Sequence, residues 1–171
     1  MSILSSKNGC SMVDGELYLN GVKLGSPCFK EGTKVLTREG YKEIQDICIG
    51  DEVLTHMNRW RKVKCVDNSA HQEIWKIKTR NGFKCYVTVN HHLMASKVEG
   101  KHFSPYKFIR VGELGLDNYL MSLVKMDGSG EVDYEYDKII KIERTDRNER
   151  VYNLGVAEDY TYIVNGKIVQ S

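Results

Sequence analysis

Short apolar segments rich in Val, Ile, Thr and Tyr recur along the chain, and clusters of turn-forming residues separate them. Around Trp75 and Ile77 the apolar residues alternate with lysines, which is the pattern of a strand with one buried face. Asn-Gly pairs at 81–82 and 165–166 lie between apolar runs and predict tight hairpins. The pattern predicts strands over 34–37, 52–55, 61–66, 73–79, 84–89, 119–123, 134–144, 150–154, 160–164 and 167–170.

Few segments carry a helical pattern. A helix fits only the short stretches 41–47 and 107–114, while 96–105 is irregular and 127–131 has the composition of an exposed loop tip. The chain has only two prolines, and its 15 glycines are spread between the apolar segments. We therefore predict an all-β fold with many turns.

Composition and charge narrow the class of protein. Of the 171 residues, 41% are hydrophobic and 28% are charged, as in ordinary folded domains. Lys and Arg number 25 against 23 Asp and Glu, so the net charge is 25 − 23 = +2 and provides no basic excess for nucleic acid. No apolar run reaches about 18 residues, and the first residues lack the pattern of a signal peptide. We expect a cytoplasmic protein that binds neither nucleic acid nor membranes.

The cysteines exclude two further classes. There are five and none forms a CxxC pair, so a zinc site is not expected. Their number is odd and the chain is long enough to bury its own core, so we predict free thiols in a reducing compartment rather than a disulfide framework. The cysteines are Cys10, Cys28, Cys48, Cys65 and Cys85.

Residues 1–27 differ in pattern from the rest of the chain. Ser, Gly and Asn are frequent up to Gly15, and the segment 16–24 reads as one hairpin that turns at Asn20-Gly21. Pro27 restricts its own backbone and that of the residue before it, which is a common way to separate two units. We therefore place a boundary between Pro27 and Cys28.

Three ordered blocks of sequence begin at this boundary. The first runs from Cys28 as CFKEGTKVLT, and IGDEVL follows at 49–54. The second is VTVNH at 87–91, in which Thr88 and His91 form a TxxH motif. The third is RVYNLGVAEDYTYIVNG at 150–166. Together the blocks resemble an intein, the self-splicing element of the Hint superfamily.

The resemblance implies a fold and a division of the chain. The Hint fold is a flattened, horseshoe-like all-β structure with pseudo-twofold symmetry, in which the two termini meet at the active site. Residues 1–27 would be an N-terminal extein fragment, and residues 28–171 a mini-intein. The 41 residues from 97 to 137 are too few for a homing endonuclease. The paired-acid motif of that nuclease is also absent, so DNA cleavage is not predicted.

Cys28 is the predicted nucleophile. Its side chain can attack the carbonyl carbon of Pro27 through a five-membered ring, which converts the scissile Pro27–Cys28 amide into a thioester. The family reaction continues with transesterification to a downstream nucleophile, cyclisation of a C-terminal amide residue and an acyl shift that restores a peptide bond. Each molecule reacts once, so we expect autocatalytic self-processing rather than a turnover enzyme, with no cofactor. Because Pro27 is rigid, we expect a slow first step.

Three further residues are expected to assist Cys28. An imidazole at His91 can protonate the departing amide nitrogen near neutral pH, and the hydroxyl of Thr88 can hold the scissile carbonyl and the developing oxyanion. Because a spacing of three residues crosses the faces of an ideal strand, we expect a bend or bulge near Asn90. By resemblance, Asp159 is the acidic residue of the late block, which can orient Cys28 or assist breakdown of the branched intermediate.

The end of the chain leaves two alignments open. Counted from the Asn-Gly pair at 165–166, the family spacing places Gln170 at the penultimate position and Ser171 at that of the cyclising Asn. A serine cannot form a succinimide, so C-terminal cleavage would then be disabled. In the second alignment Gln170 closes a glutarimide, and Ser171 is the first extein residue and second nucleophile. The spacing favours the first alignment.

The expected partners are the flanking exteins, and the chain is expected to be a monomer. Zinc is expected to inhibit by occupying Cys28 and His91. A rival is a Hint domain that only cleaves, as in hedgehog-type or bacterial intein-like domains, and passes the thioester to water or an alcohol. A rival from another class is a β-rich binding module whose Cys and His residues are structural.

Overall fold

The computed structural model describes residues 28–171, apart from the side chains of residues 70 and 71, together with the backbone of four strands in the preceding 27 residues. Two short 3-10 helices, Ile44–Asp46 and Val111–Glu113, accompany the strands of this described part. The strands are β1 Ile3–Ser5, β2 Cys10–Val13, β3 Glu16–Leu19, β4 Val22–Gly25, β5 Phe29–Lys30, β6 Lys34–Thr37, β7 Gly40–Glu43, β8 Glu52–Leu54, β9 Trp60–Thr79, β10 Lys84–Val87, β11 His92–Glu99, β12 His102–Phe103, β13 Lys107–Arg110, β14 Asn118–Leu123, β15 Tyr134–Val156, β16 Thr161–Val164 and β17 Lys167–Gln170.

The prediction of an all-β fold is confirmed, although the strands are longer than expected. The predicted strands 61–66 and 73–79 are both parts of β9, and 134–144 and 150–154 are both parts of β15. β9 and β15 pair antiparallel along most of their length, and the pairing contains four register shifts. Bulges of this kind increase the twist of a long ribbon without ending it. The polar stretch 67–72 therefore continues as a strand because its partner runs beside it.

The two predicted helices are wrong over most of their length. The segment 41–47 consists mainly of β7 and a 3-10 helix, and 107–114 consists mainly of β13 and a 3-10 helix. Each 3-10 helix begins with a buried apolar residue, Ile44 or Val111. The apolar residues in these segments therefore mark positions where the chain enters the core, and they do not form one face of an α-helix. In the described part of the chain, no helix is long and apolar enough to cross a membrane.

The strands from β5 onward form one curled antiparallel sheet. Its order is β12-β11-β14-β15-β5-β10-β9-β8-β6-β16-β17, with β13 beside β11 and β7 beside β6. β17 also pairs with β11, where Val169 faces Leu93, so the sheet curls back on itself. Because β11 follows β10 after a short turn, the end of β17 lies beside that turn. β11 and β12 also cover much of 96–105, which the sequence predicted to be irregular.

The predicted Asn-Gly hairpins join β9 to β10 and β16 to β17. In the second hairpin Asn165 has φ +47° and Gly166 has φ +90°, as a tight turn with two positive φ angles requires. Gly82 in the first hairpin also has a positive φ, of +92°. Both predictions of hairpins are confirmed.

A buried ion pair links β17 to β15. Nζ of Lys167 lies 3.0 Å from Oδ2 of Asp137, and the two side chains are only 11% and 2% exposed. Lys167 also donates to Oγ of Ser122 at 2.9 Å, and Oγ1 of Thr79 donates to Asp137 at 2.5 Å. Because both charges are removed from water, loss of either partner would leave an uncompensated charge in the core.

The first 27 residues contribute a separate antiparallel sheet of four strands, β1 to β4. β3 and β4 pair with Leu19 facing Val22, which agrees with the hairpin predicted there. The four strands exceed the single hairpin that the sequence predicted for this region. Asn20-Gly21 and Pro27 lie outside the described residues, and the domain boundary at Pro27 stays a prediction.

The prediction of free thiols is only partly confirmed. Cys28, Cys48 and Cys85 carry free thiols, whereas Cys65 is disulfide-bonded. The prediction is therefore wrong at Cys65. It used the number of cysteines and the length of the chain, neither of which determines which cysteines the fold brings together.

Candidate functional site

Thr88 holds the backbone of Cys28 in place. The amide N–H of Cys28 donates to Oγ1 of Thr88 at 2.9 Å, and the amide N–H of Thr88 donates to the Cys28 carbonyl oxygen at 2.9 Å. The Thr88 hydroxyl lies 3.3 Å from the same carbonyl oxygen. These contacts continue the pairing of β10 with β5, in which Val87 faces Phe29. Thr88 therefore fixes the nitrogen atom that an acyl shift at Cys28 would release.

The Cys28 side chain is buried, and only 2% of the residue is exposed. It packs in a small cluster with Ile74 and Val151, against which Tyr86 also rests. The pKa of the Cys28 thiol is raised to about 12. Burial is the larger cause, and the negative charge of Asp67 is the smaller one. Cys28 is therefore a protonated thiol at neutral pH, and a nucleophilic attack by its sulfur would require a base to take the proton.

The residues of the TxxH motif form a turn between β10 and β11. The amide N–H of His91 donates to the Thr88 carbonyl oxygen at 3.2 Å, and the amide N–H of Val111 donates to the His91 carbonyl oxygen at 2.8 Å. The bend predicted near Asn90 is therefore confirmed. It directs the His91 ring against Phe29, the neighbour of Cys28, with 4.3 Å between the ring centroids.

His91 is fully buried, and one of its ring nitrogens contacts the other end of the domain. Nε2 lies 2.7 Å from the carbonyl oxygen of Gln170. Because a carbonyl oxygen only accepts, Nε2 carries the hydrogen and Nδ1 has a free lone pair. Nδ1 is buried and has no hydrogen-bond partner in the part of the chain that the structure describes.

Burial lowers the pKa of His91 to about 3. The hydrogen bond to the Gln170 carbonyl oxygen raises the pKa, but this effect is smaller than that of burial. The imidazole is therefore neutral at neutral pH. In the role predicted from the sequence, His91 would protonate the departing amide nitrogen. A neutral ring can do so only with a proton that it has first accepted, and Nδ1 is the atom that can accept one.

The last two residues meet the late block of the sequence. Gln170 ends β17, where it faces Thr161 on β16. The amide N–H of Ser171 donates to the Tyr160 carbonyl oxygen at 2.8 Å. Ser171 is 5% exposed, and its buried Oγ has no partner among the described residues. The Gln170–Ser171 peptide is therefore held on both sides, by His91 at its carbonyl oxygen and by Tyr160 at its nitrogen.

Asp159 is engaged elsewhere, and its bonds hold the turn before β16. Its carboxylate accepts hydrogen bonds from Oγ1 of Thr55 at 2.5 Å and from Nε of Arg59 at 2.8 Å, and Nη2 of Arg59 makes a second close contact. Burial would raise the pKa of Asp159, but the bonds from Arg59 and Thr55 outweigh it and hold the pKa below its ordinary value. The structure therefore brings together a set of five predicted site residues, namely Cys28, Thr88, His91, Gln170 and Ser171. Asp159 instead forms its hydrogen bonds with Thr55 and Arg59.

Asn153 and Asp67 belong to the same site, although the sequence did not single them out. Asn153 on β15 faces Asp67 on β9. β15 also pairs with β5, where Tyr152 faces Phe29, and one further step in this register brings Asn153 opposite Cys28. Their only sequence signal is the register of two bulged strands, which local pattern does not reveal.

Tyr162 adds a buried phenol to this site. Its hydroxyl donates to Oδ1 of Asn153 at 3.2 Å, and its ring lies 6.5 Å from the His91 ring, centroid to centroid. Burial raises the pKa of Tyr162 well above its ordinary value. Nδ2 of Asn153 is buried without a partner among the described residues.

No group of three or more His, Cys, Asp or Glu side chains in the described part of the chain is arranged to hold a metal ion. Cys28 and His91 would supply two ligands at most. Inhibition by zinc therefore stays a prediction.

Comparison with known proteins gives a family match, a sequence relative and a set of similar solved structures. A family model described as the Hint domain matches residues 27–101. An uncharacterized protein of Methanocaldococcus jannaschii is 38% identical over 74 residues, which are 42% of this chain and 9% of that protein. The matched part is thus a small fraction of the relative's length.

The solved structures extend the likeness over most of the chain. A DnaB intein from Synechocystis sp. PCC 6803 has a TM-score of 0.67 at 20% identity, covering 85% of this chain and 99% of its own. The gp41-1 intein has a TM-score of 0.64 at 22% identity, covering 86% and 100%. A bacterial intein-like domain from Clostridium thermocellum has a TM-score of 0.62 at 22% identity, covering 84% and 98%. The chain therefore has the fold of the mini-inteins, and residues 27–101 match the Hint domain model, as the motifs of the sequence predict.

Proposed function

We propose that this chain is an autocatalytic protein-splicing element in which Cys28 starts the reaction and residues 1–27 are its N-terminal extein. One observation carries the proposal. A single buried imidazole, His91, lies against the neighbour of Cys28 and also hydrogen-bonds the carbonyl oxygen of Gln170. Splicing requires chemistry at both ends of the element, and His91 is in a position to link the two junctions.

The first step is an acyl shift from nitrogen to sulfur. The Cys28 thiol attacks the Pro27 carbonyl carbon, the S–C bond forms, and the C–N bond to Cys28 breaks. The thiol proton passes to Nδ1 of His91 and then to the departing nitrogen, so that no outside reactant is consumed. Thr88 holds that nitrogen by its hydroxyl. Removal of this bond would let the scissile peptide rotate out of line.

For the C-terminal junction we propose the second alignment, in which Gln170 cyclises and Ser171 is the second nucleophile. The hydrogen bond from Nε2 of His91 to the Gln170 carbonyl oxygen supports it, because that bond polarises the carbonyl which cyclisation must attack. The unpartnered Oγ of Ser171 also suits a nucleophile awaiting an acyl group. In this scheme Asp159 acts indirectly, since its bonds to Thr55 and Arg59 hold the turn that presents the Tyr160 carbonyl to Ser171.

Intact-mass analysis with an added thiol tests the first step. The parent chain should release residues 1–27 and leave a fragment that begins at Cys28. The variant Cys28→Ala should stay whole, and Cys48→Ala, which removes an exposed free thiol, should behave like the parent. If Cys28→Ala and the parent processed equally, Cys28 would be structural and the chain a β-rich binding module.

A short peptide tail added after Ser171 tests the C-terminal assignment. If Gln170 cyclises, the chain cuts before Ser171 and Gln170→Ala blocks that cut. If Ser171 occupies the cyclising position, the tailed parent does not cut there, and Ser171→Asn cuts after position 171. Ligation of residues 1–27 to the tail establishes splicing. Loss of residues 1–27 without ligation or C-terminal cleavage identifies a Hint domain that only cleaves.

A further inference from the structure

Three neighbouring strands place Cys28, Asn153 and Asp67 in one row. Asn153 faces Asp67 in the pairing of β15 with β9, and the register of β5 with β15 continues to Cys28 opposite Asn153. Neighbouring strands lie about 5 Å apart, so Asp67 is about 10 Å from Cys28. That separation is too long for direct proton transfer and short enough for a charge to act across a weakly polarisable interior.

Asp67 is half-buried, and its side chain lines a cavity of about 110 Å³ together with Asn153, Ile44 and Ile47. Burial raises the pKa of Asp67, although a backbone hydrogen bond at Asn68 opposes this effect. The carboxyl group is therefore positioned to act on Cys28 in its charged state and to lose that effect when it is protonated.

We infer that Asp67 is a brake on the first acyl shift, because its carboxylate, held one residue beyond Asn153 in the row, disfavours negative charge on the Cys28 sulfur and on the tetrahedral intermediate. The inference rests on the proposed function. It assigns Asp67 a positioning role that opposes the reaction, rather than the role of a base. Asn153 lies between the two groups. Its Nδ2 has no hydrogen-bond partner among the described residues, so this amide can stabilise negative charge when the Asp67 charge is absent.

Glu31 carries a negative charge three residues from Cys28, but its side chain is exposed and its Oε1 accepts a hydrogen bond from the Tyr152 hydroxyl at 3.1 Å. Two buried titratable groups near Cys28 supply no negative charge at neutral pH. Tyr162 from β16 and His91 from the turn before β11 are both neutral because they are buried. Lys30 lies on the same strand as Cys28, and its Nζ is 5.1 Å from the ring centroid of Tyr86. Removal of the Asp67 charge should therefore change the thiolate population with little compensation.

The test is the variant Asp67→Asn, which keeps the shape of the side chain and removes its charge. Thiol-induced release of residues 1–27 should become faster by on the order of tenfold, and the rising limb of its pH profile should move to lower pH by about one unit. Asp67→Glu, which keeps the charge, should stay close to the parent. Asp133→Asn removes an exposed carboxylate elsewhere and should also match the parent.

A second measurement follows the thiol itself and does not depend on acyl transfer. The rate of iodoacetamide labelling at Cys28, relative to the buried free thiol of Cys85 in the same chain, reports the thiolate population. In Asp67→Asn this ratio should rise by on the order of tenfold. An unchanged ratio, or slower release with Asp67→Asn than with the parent, overturns the inference. If neither the parent nor Asp67→Asn releases residues 1–27 but the ratio rises, the proposed function fails and the electrostatic action of Asp67 stands.

Discussion

Mild acid should destabilise this fold mainly through His91. The folded pKa of His91 is about 3 because the ring is buried, against an ordinary value of 6.5. Between these two values the unfolded chain binds a proton that the folded chain refuses. The stabilising contribution of a neutral His91 is therefore complete above pH 6.5, falls as the pH drops through that window, and is lost below pH 3.

The size of the effect follows from the two pKa values. Between pH 7 and pH 5 the unfolded chain gains about 0.7 of a proton at position 91 while the folded chain gains almost none, so the free energy of unfolding should fall by about 2 kcal/mol. Asp137 and Asp159 have pKa values below the ordinary 3.8, so their contributions are lost only at lower pH. Burial raises the pKa of Asp67, so the contribution of Asp67 changes in the opposite direction as the pH falls. The interval from pH 7 to pH 5 therefore reports mainly on histidine.

Urea unfolding at the two pH values measures this difference, with Cys28→Ala as the parent so that no acyl transfer can begin. Fluorescence of Trp60 and Trp75 follows the transition. In this background His91→Gln should remove most of the pH-dependent difference. Burial also lowers the pKa of His56, so His56→Gln serves as the matched control and should remove less. An equal pH dependence with and without His91 would refute a neutral buried imidazole.

Two further predictions concern stability. Lys167→Met leaves the Asp137 carboxylate buried without its ion-pair partner and should lower the free energy of unfolding by about 3–5 kcal/mol, and adding Asp137→Asn should restore much of that loss in the same urea experiment. Gly128 has φ +76° and a Cβ there would collide with the Trp60 ring, whereas Gly130 has φ +84° and faces open space. Gly128→Ala should therefore lower the thermal midpoint clearly more than Gly130→Ala, whose cost is the positive φ alone, about 1–2 kcal/mol. Equal midpoints for the two glycine variants would contradict the collision.

Local sequence pattern predicted the parts of the fold whose causes are local. The hairpins at 81–82 and 165–166 are predicted because Asn-Gly pairs favour tight turns, and at 165–166 both residues adopt the positive φ angles of a two-residue turn. The length of β9 is not predicted, because the polar stretch 67–72 stays extended only through its pairing with β15. The helices predicted at 41–47 and 107–114 are wrong for a related reason. The apolar residues Ile44 and Val111 are buried by tertiary packing in short 3-10 helices, and their spacing does not reflect the face of an α-helix.

The residues of the candidate site also differ in whether local sequence pattern could predict their positions. Thr88 and His91 belong to one short motif, so their spacing alone indicated the bend between β10 and β11. Asn153 and Asp67 reach that thiol across paired strands, and Asp159 forms its bonds with Thr55 and Arg59, far away in sequence. No local pattern carries this information, because one bulge in β15 shifts every contact beyond it.

Burial of Cys28 and His91 has one chemical consequence for the whole site. The thiol keeps its proton because its pKa is about 12, and the imidazole stays neutral because its pKa is about 3. Neither group is therefore charged at neutral pH, and in the proposed acyl shift the proton must leave sulfur as the S–C bond forms. The rate of this proposed shift therefore depends both on the alignment of donor, acceptor and carbonyl and on the small population of thiolate. Thr88 holds the backbone nitrogen of Cys28, so Thr88→Val should slow the release of residues 1–27 relative to the parent in the thiol-release assay, and an equal rate in the two proteins would contradict this role.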